Sequence, residues 1–154
     1  MSMKHPPCIL VAEDDPVTRH LLQFSLQQAG YFVVTAADGE QAWERLQHGD
    51  IDLLLTDHQM PRCSGVELLE RIEAARHEGR KLVDAVLLCT AKGLELDRQA
   101  LQNEYGLLAV IDKPFSPRRL AQTIDDHFVS VGLMEVTTHC AVAGESWGVW
   151  NAPA

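Results

Sequence analysis

The sequence predicts a doubly wound α/β sandwich, a parallel five-stranded sheet in the order 2-1-3-4-5 with helices on both faces. Three observations predict it. Five short apolar runs of strand length recur along the 154 residues, most of them are continuous rather than alternating, and helical patterns lie between and after them. Continuous apolar strands suit a sheet covered on both faces, the habit of parallel sheets whose crossovers are helices.

The first run covers about Cys8 to Ala12, and Asp15-Pro16 then supply a helix cap and a first-turn proline. Val17, Leu21, Phe24 and Gln28 form the helical stripe, which Leu22, Leu26 and Ala29 broaden, and Gly30 stops the helix. The second strand spans about Phe32 to Thr35. Asp38 opens a shorter helix carrying Ala42, Trp43 and Leu46 that ends near Gly49. The third strand covers about Ile51 to Thr56. Ser64-Gly65-Val66-Glu67 reads as a capping box before Leu68, Leu69, Ile72 and Ala75, and Gly79 closes that helix. A strand from about Ala85 to Cys89 precedes a weaker helical pattern from about Leu94 to Tyr105. The last strand, about Leu108 to Ile111, leads to a helix capped by Ser116-Pro117 that carries Leu120, Ile124 and Phe128. Right-handed crossovers and five strand-helix units give a flavodoxin-like (βα)5 sandwich.

A chain that is 46% hydrophobic and 23% charged is of globular type, and 154 residues hold one ordinary domain rather than two. The reading assigns the domain to residues 7–131 and a tail or linker without an effector domain to 132–154. A net charge of -9 repels polyanions, so direct DNA binding is not expected. The absence of a long apolar run and of a leader-like start gives a cytoplasmic expectation with no membrane association. Cys8, Cys63, Cys89 and Cys140 are widely spaced, which favours neither a zinc site nor a disulfide framework.

Ligands of doubly wound sheets sit beyond the carboxyl ends of the strands. Those ends carry Glu13 and Asp14 after the first strand, Asp57 after the third, Thr90 after the fourth and Lys113 after the fifth. Each residue alone is ordinary, since aspartates cap helices and polar groups commonly end strands. Three acids brought together repel, and a divalent cation relieves them. An oxygen-only set selects a hard ion, Mg²⁺ or Mn²⁺.

Four motifs stand in order: Ile9-Leu10-Val11-Ala12-Glu13-Asp14-Asp15, Leu55-Thr56-Asp57-His58-Gln59-Met60-Pro61 with Gly65, Cys89-Thr90-Ala91, and Asp112-Lys113-Pro114-Phe115. Over about residues 7 to 130 the chain closely resembles the receiver family of two-component response regulators. The resemblance implies that Asp57 accepts a phosphoryl group from a phosphohistidine, with Thr90 and Lys113 meeting its oxygens. It implies Mg²⁺ held by Glu13, Asp14, Asp57 and the backbone carbonyl of Gln59, and a cis Lys113-Pro114 bond. Implied partners are a sensor histidine kinase or histidine phosphotransfer protein, a downstream protein target, and a second copy in a homodimer. Such a protein is a phosphoacceptor that catalyses its own phosphoryl transfer and slow dephosphorylation rather than an enzyme acting on others.

The chain departs from the family at Val110, where receivers commonly carry Tyr or Phe. Asp15 reads as a helix cap, Asp112 as pointing away from the pocket, His58 as a solvated loop residue, and Gln59 and Lys92 as neighbours of the attacking water. The tail, with Trp147 and Trp150, reads as a linker or as a segment docking on the domain or on a second copy. A relay intermediate, the receiver portion of a larger regulator, and a receiver fold used as a binding module remain open. An aspartate-nucleophile phosphatase lacks its second Asp, since Gln59 stands there, and a flavodoxin-type cofactor binder conflicts with the acidic turn Glu13-Asp14-Asp15-Pro16.

Overall fold

The computed structural model describes residues 5–91 and 97–132. Strand and helix alternate through β1 (Cys8–Ala12), α1 (Pro16–Gln28), β2 (Phe32–Ala36), α2 (Gly39–Leu46), β3 (Leu53–Asp57), α3 (Gly65–His77), β4 (Ala85–Ala91), α4 (Arg98–Tyr105), β5 (Ala109–Lys113) and α5 (Pro117–Ser130). All neighbouring strands pair in parallel, in the order β2-β1-β3-β4-β5. This is the predicted sandwich.

Side chains alternate across the sheet, so each strand feeds two cores. Leu10, Ala12, Leu54, Val86 and Leu88 face a layer built with Ala42, Leu46, Leu68, Leu69, Ile72 and Tyr105 of α2, α3 and α4. Ile9, Val11, Leu53, Leu55, Leu87 and Cys89 face Leu22, Leu26, Leu120, Ile124 and Phe128 of α1 and α5. Every residue of the central β3 is buried, whereas the edge strands β2 and β5 are mostly half-exposed. That contrast explains why the middle runs are the most continuously apolar in the sequence.

The caps anticipated for four helices form as side-chain bonds. Asp15 Oδ2 accepts from Thr18 N at 3.0 Å, Asp38 Oδ1 from Gln41 N at 2.9 Å, Ser64 Oγ from Glu67 N at 3.2 Å and Ser116 Oγ from Arg119 N at 3.4 Å. The fourth helix differs from expectation. Asp97 is its cap, accepting from Ala100 N at 2.9 Å, so the helix begins at Arg98 rather than near Leu94. Strands also run further than their apolar letters. Asp57, Thr90 and Lys113 lie inside β3, β4 and β5 rather than after them, because ladder hydrogen bonds continue through polar residues.

The broad apolar stripe of α1 divides in the structure. Val17, Leu21 and Phe24 are exposed at 75%, 49% and 56%, while Leu22 and Leu26, which broaden it, are buried at 2% and 1%. Two apolar stripes lie side by side on this helix, and the sheet takes the one containing Leu22 and Leu26.

Removing the buried Leu26 side chain by Leu26→Ala is therefore expected to cost about 2–5 kcal/mol. Leu21→Ala on the outer stripe should stay within about 0.5 kcal/mol. Urea unfolding of the two variants separates the stripes, and a larger loss for Leu21→Ala would reverse the assignment.

Candidate functional site

The alternation that fills the two cores also builds the polar end of the sheet. Asp57 continues the row of Leu53 and Leu55, and Lys113 continues that of Ala109 and Ile111. Glu13 follows β1 in step with Ile9 and Val11, and its backbone N–H still bonds to Ala36 O at 3.0 Å. Two acids and one ammonium thus share a side of the sheet at its carboxyl edge.

Lys113 Nζ lies 2.8 Å from Glu13 Oε2 and 3.2 Å from Asp57 Oδ2. One carboxylate oxygen each from Glu13, Asp14 and Asp57 falls within 4.8 Å of the others, an arrangement able to hold a metal ion. Glu13 and Asp57 are buried and Asp14 is exposed, so the cluster sits at the floor of an opening to solvent. Burial raises the pKa of Glu13 above the usual carboxylate value; the Lys113 hydrogen bond opposes that rise and the Asp57 charge adds to it. Burial pulls the other way on Lys113, yet the bond to Glu13 and the charge of Asp57 outweigh it, and its pKa is raised. One ammonium faces three carboxylates, which leaves an excess of negative charge for a cation to balance.

Thr90 lies near the carboxyl end of β4, 1% exposed, and its Oγ1 has no hydrogen-bond partner among the described residues. A buried hydroxyl without a partner costs roughly 1–3 kcal/mol, so its presence at this edge calls for a ligand. Gln59 is exposed on the loop two residues past Asp57. The oxygen donors of Glu13, Asp14 and Asp57 fit a hard divalent ion.

The loops around the site are held tightly. Arg19 donates from Nη1 to the backbone carbonyls of Glu13 at 2.9 Å and Asp14 at 3.4 Å, pinning the β1–α1 turn. Nothing in the sequence singled out this residue, which reads there as an ordinary helix arginine. Gly65 opens α3 against β3, where an added Cβ would lie 2.5 Å from the Asp57 carbonyl oxygen and 2.8 Å from the His58 Cα. Arg62 takes φ 68° in a tight turn that closes Cys63 N onto Pro61 O at 2.7 Å. The Lys113-Pro114 bond is cis, as the resemblance implied.

Three neighbours read from sequence can be placed. Asp112 points away from the pocket, as expected, and meets Arg98 of α4 in a forked ion pair. His58 is half-buried rather than solvated, with Nδ1 buried and unpartnered among the described residues, because the loop folds back and Gly65 N bonds to His58 O at 2.8 Å. Tyr105 packs in the α2–α4 core beside the half-buried Val110. Lys92, Cys140, Trp147 and Trp150, and the tail assignment beyond Gly132, lie outside the described residues.

The raised Glu13 pKa has a definite sign in stability. The folded state holds this proton more tightly than the unfolded chain, so stability falls as pH rises from the unfolded value of 4.5 through the raised one. In chelator at neutral pH, Glu13→Gln is accordingly expected to raise the urea midpoint and to flatten this fall. A midpoint equal to or below that of the parent would contradict the electrostatic account.

Residues 9–125 match the family model described as the response regulator receiver domain. The alkaline phosphatase synthesis transcriptional regulatory protein PhoP of Bacillus subtilis is 36% identical over 112 residues, covering 73% of this chain and 44% of that protein. The transcriptional regulatory protein CpxR of Escherichia coli is 37% identical over 116 residues, covering 75% of this chain and 47% of its own length. The chain therefore spans less than half of these two curated relatives. Among solved structures, a response regulator receiver domain protein from Clostridium thermocellum superposes with a TM-score of 0.68 at 26% identity, covering 82% of this chain and 98% of that one.

Proposed function

Since this chain belongs to the response regulator receiver domain family, we propose that it accepts a phosphoryl group on Asp57 from a phosphohistidine donor and thereby switches the binding of a protein partner. One observation carries the proposal. Asp57 lies 3.2 Å from the Lys113 ammonium, and one of its oxygens falls within 4.8 Å of oxygens of the Glu13 and Asp14 carboxylates.

The side chains of Glu13, Asp14 and Asp57, with the Gln59 carbonyl, would hold Mg²⁺ or Mn²⁺. When bound, the ion supplies counter-charge to the phosphoryl oxygens and screens the acids from one another. The remaining work falls to the chain's own groups. An Asp57 oxygen attacks phosphorus as the donor's N–P bond breaks and the imidazole leaves, giving an acyl phosphate on Asp57. The Lys113 ammonium, already beside Asp57, offsets charge on the transferred group, and the Thr90 hydroxyl donates to one of its oxygens. Water later attacks the acyl phosphate, with Gln59 beside its path, so phosphorylation reverses slowly without a separate catalyst.

The donor is a sensor histidine kinase or a histidine phosphotransfer protein, the target a downstream protein or a second copy of the chain, and the setting the cytoplasm. No helix among the described residues is long and apolar enough to cross a membrane, and the net charge of -9 opposes direct contact with DNA. The short span relative to PhoP and CpxR favours a second reading, in which this receiver belongs to a longer regulator.

A small-molecule phosphodonor with Mg²⁺ is expected to raise the intact mass by one phosphoryl group, and Asp57→Asn or a chelator to abolish the gain. Labelling that persists in Asp57→Asn would reject the acceptor. Thr90→Val removes the unpartnered hydroxyl, and should leave thermal stability equal or higher while slowing labelling on the order of 100-fold. An unchanged labelling rate would remove Thr90 from the reaction.

A further inference from the structure

The three acids at the carboxyl edge are not held equally. Glu13 is fixed through both carboxylate oxygens, Oε2 by Lys113 Nζ at 2.8 Å and Oε1 by Asp15 N at 3.2 Å, and Asp57 faces Lys113 at 3.2 Å. Asp14 is exposed, and among the described residues its hydrogen bonding is confined to its backbone carbonyl. The aim of this carboxylate is therefore set by its backbone.

Arg19 supplies the constraint. It completes the first turn of α1, with its backbone N bonded to Asp15 O at 2.9 Å. Helix side chains lean toward the N-terminus, so its guanidinium returns to the turn that carries the acids. Nη1 donates to Glu13 O at 2.9 Å and, at longer range, to Asp14 O at 3.4 Å. The first carbonyl belongs to the peptide before Asp14 and the second to the peptide after it. One nitrogen thus ties both rigid planes whose rotation about the Asp14 Cα directs the side chain. A ligand directed in advance loses less freedom when an ion arrives.

We propose that Arg19 is the positioning residue of Asp14 and through it sets the affinity of the cation site. This rests on the reading of Glu13, Asp14 and Asp57 as ligands of a divalent ion. The sign of the effect separates positioning from charge. A positive group near three carboxylates repels a cation, so loss of its charge alone tightens binding, whereas loss of positioning loosens it. Groups that orient metal ligands contribute about 10- to 100-fold in affinity. Arg19 acts on one exposed ligand of the three, which places it at the lower end, roughly 10-fold.

The test is a Mn²⁺ titration of the full 154-residue chain, with free ion read by electron paramagnetic resonance. The parent is expected to bind Mn²⁺ and Asp14→Ala to bind it more weakly. Arg19→Met keeps most of the stem and drops the donor, and should weaken binding roughly 10-fold, with far-UV circular dichroism in chelator unchanged. Arg19→Lys restores a donor and should recover part of the loss. In an Asp14→Ala background, Arg19→Met should have little further effect, because the group it directs is gone. A parent that binds no Mn²⁺, or binding indifferent to Asp14→Ala, would remove the cation site and this proposal with it. A parent that binds while Arg19→Met binds equally or more tightly would overturn the role of Arg19 alone. So would a lysine variant no better than methionine, or the full loss persisting in Asp14→Ala.

Discussion

The constraint on which the rest of this structure depends is the close approach of like charges at the carboxyl edge of the sheet. Glu13 and Asp14 come from the turn after β1 and Asp57 from the end of β3, and their oxygens gather within 4.8 Å. Such a cluster is unfavourable by itself, and burial of Glu13 makes it more so. It persists because β1 and β3 are neighbours in register, with Ile9 through Ala12 opposite Leu53 through Thr56. Those rows are buried on both faces of the sheet. Separating the acids would require sliding the centre of both cores. Among the described residues the direct electrostatic compensation is Lys113, which arrives from the edge strand β5 and reaches Glu13 and Asp57 together.

Close packing of backbone completes what the sheet begins. Gly39 and Gly65 open α2 and α3 where a side chain has no room, the first against the Cys63 carbonyl at 2.1 Å from an ideal Cβ and the second against the Asp57 carbonyl at 2.5 Å. The loop after β3 is thereby clasped between two helix starts, and His58 N bonds to Cys89 O at 2.8 Å. A loop so held presents Asp57 at a defined position before any ligand arrives. Arg19 does the same for the β1–α1 turn through two carbonyls.

Much of this was legible in the sequence because the signals were of the kind that letters carry. Buried strands read as continuous apolar runs, Asp15, Asp38, Ser64 and Ser116 read as caps, and the polar residues at strand ends fell together once the strand order was assumed. What escaped depends on three-dimensional choices between equivalent letters. Val17, Leu21 and Phe24 score as well as Leu22 and Leu26 for an inner face, and only the placement of β1 and α5 decides between them. Arg98 and Asp112 each look like ordinary surface charges until the start of α4 is set against β5. His58 looks solvated because a loop residue usually is, and the clasp by Gly65 is a matter of backbone approach that no side-chain pattern announces.

The same reasoning explains why the polar edge tolerates groups that lower stability. An unpartnered buried hydroxyl costs roughly 1–3 kcal/mol, about what one fully buried leucine contributes, roughly 1.5–3 kcal/mol. Thr90 sits in β4 directly beyond Leu87, Leu88 and Cys89, and Asp57 ends β3 after the buried Leu53, Leu54, Leu55 and Thr56. Each unfavourable group is thus carried on a strand whose preceding residues are the most completely buried in the chain. Placed on the half-exposed β2, a free hydroxyl or a crowded carboxylate would have no comparable burial behind it, and the edge strand could shift to let it reach water. Location at the ends of the central strands is therefore what allows the site to remain unsatisfied, and so ready for a cation and an oxyanion, within a stable fold.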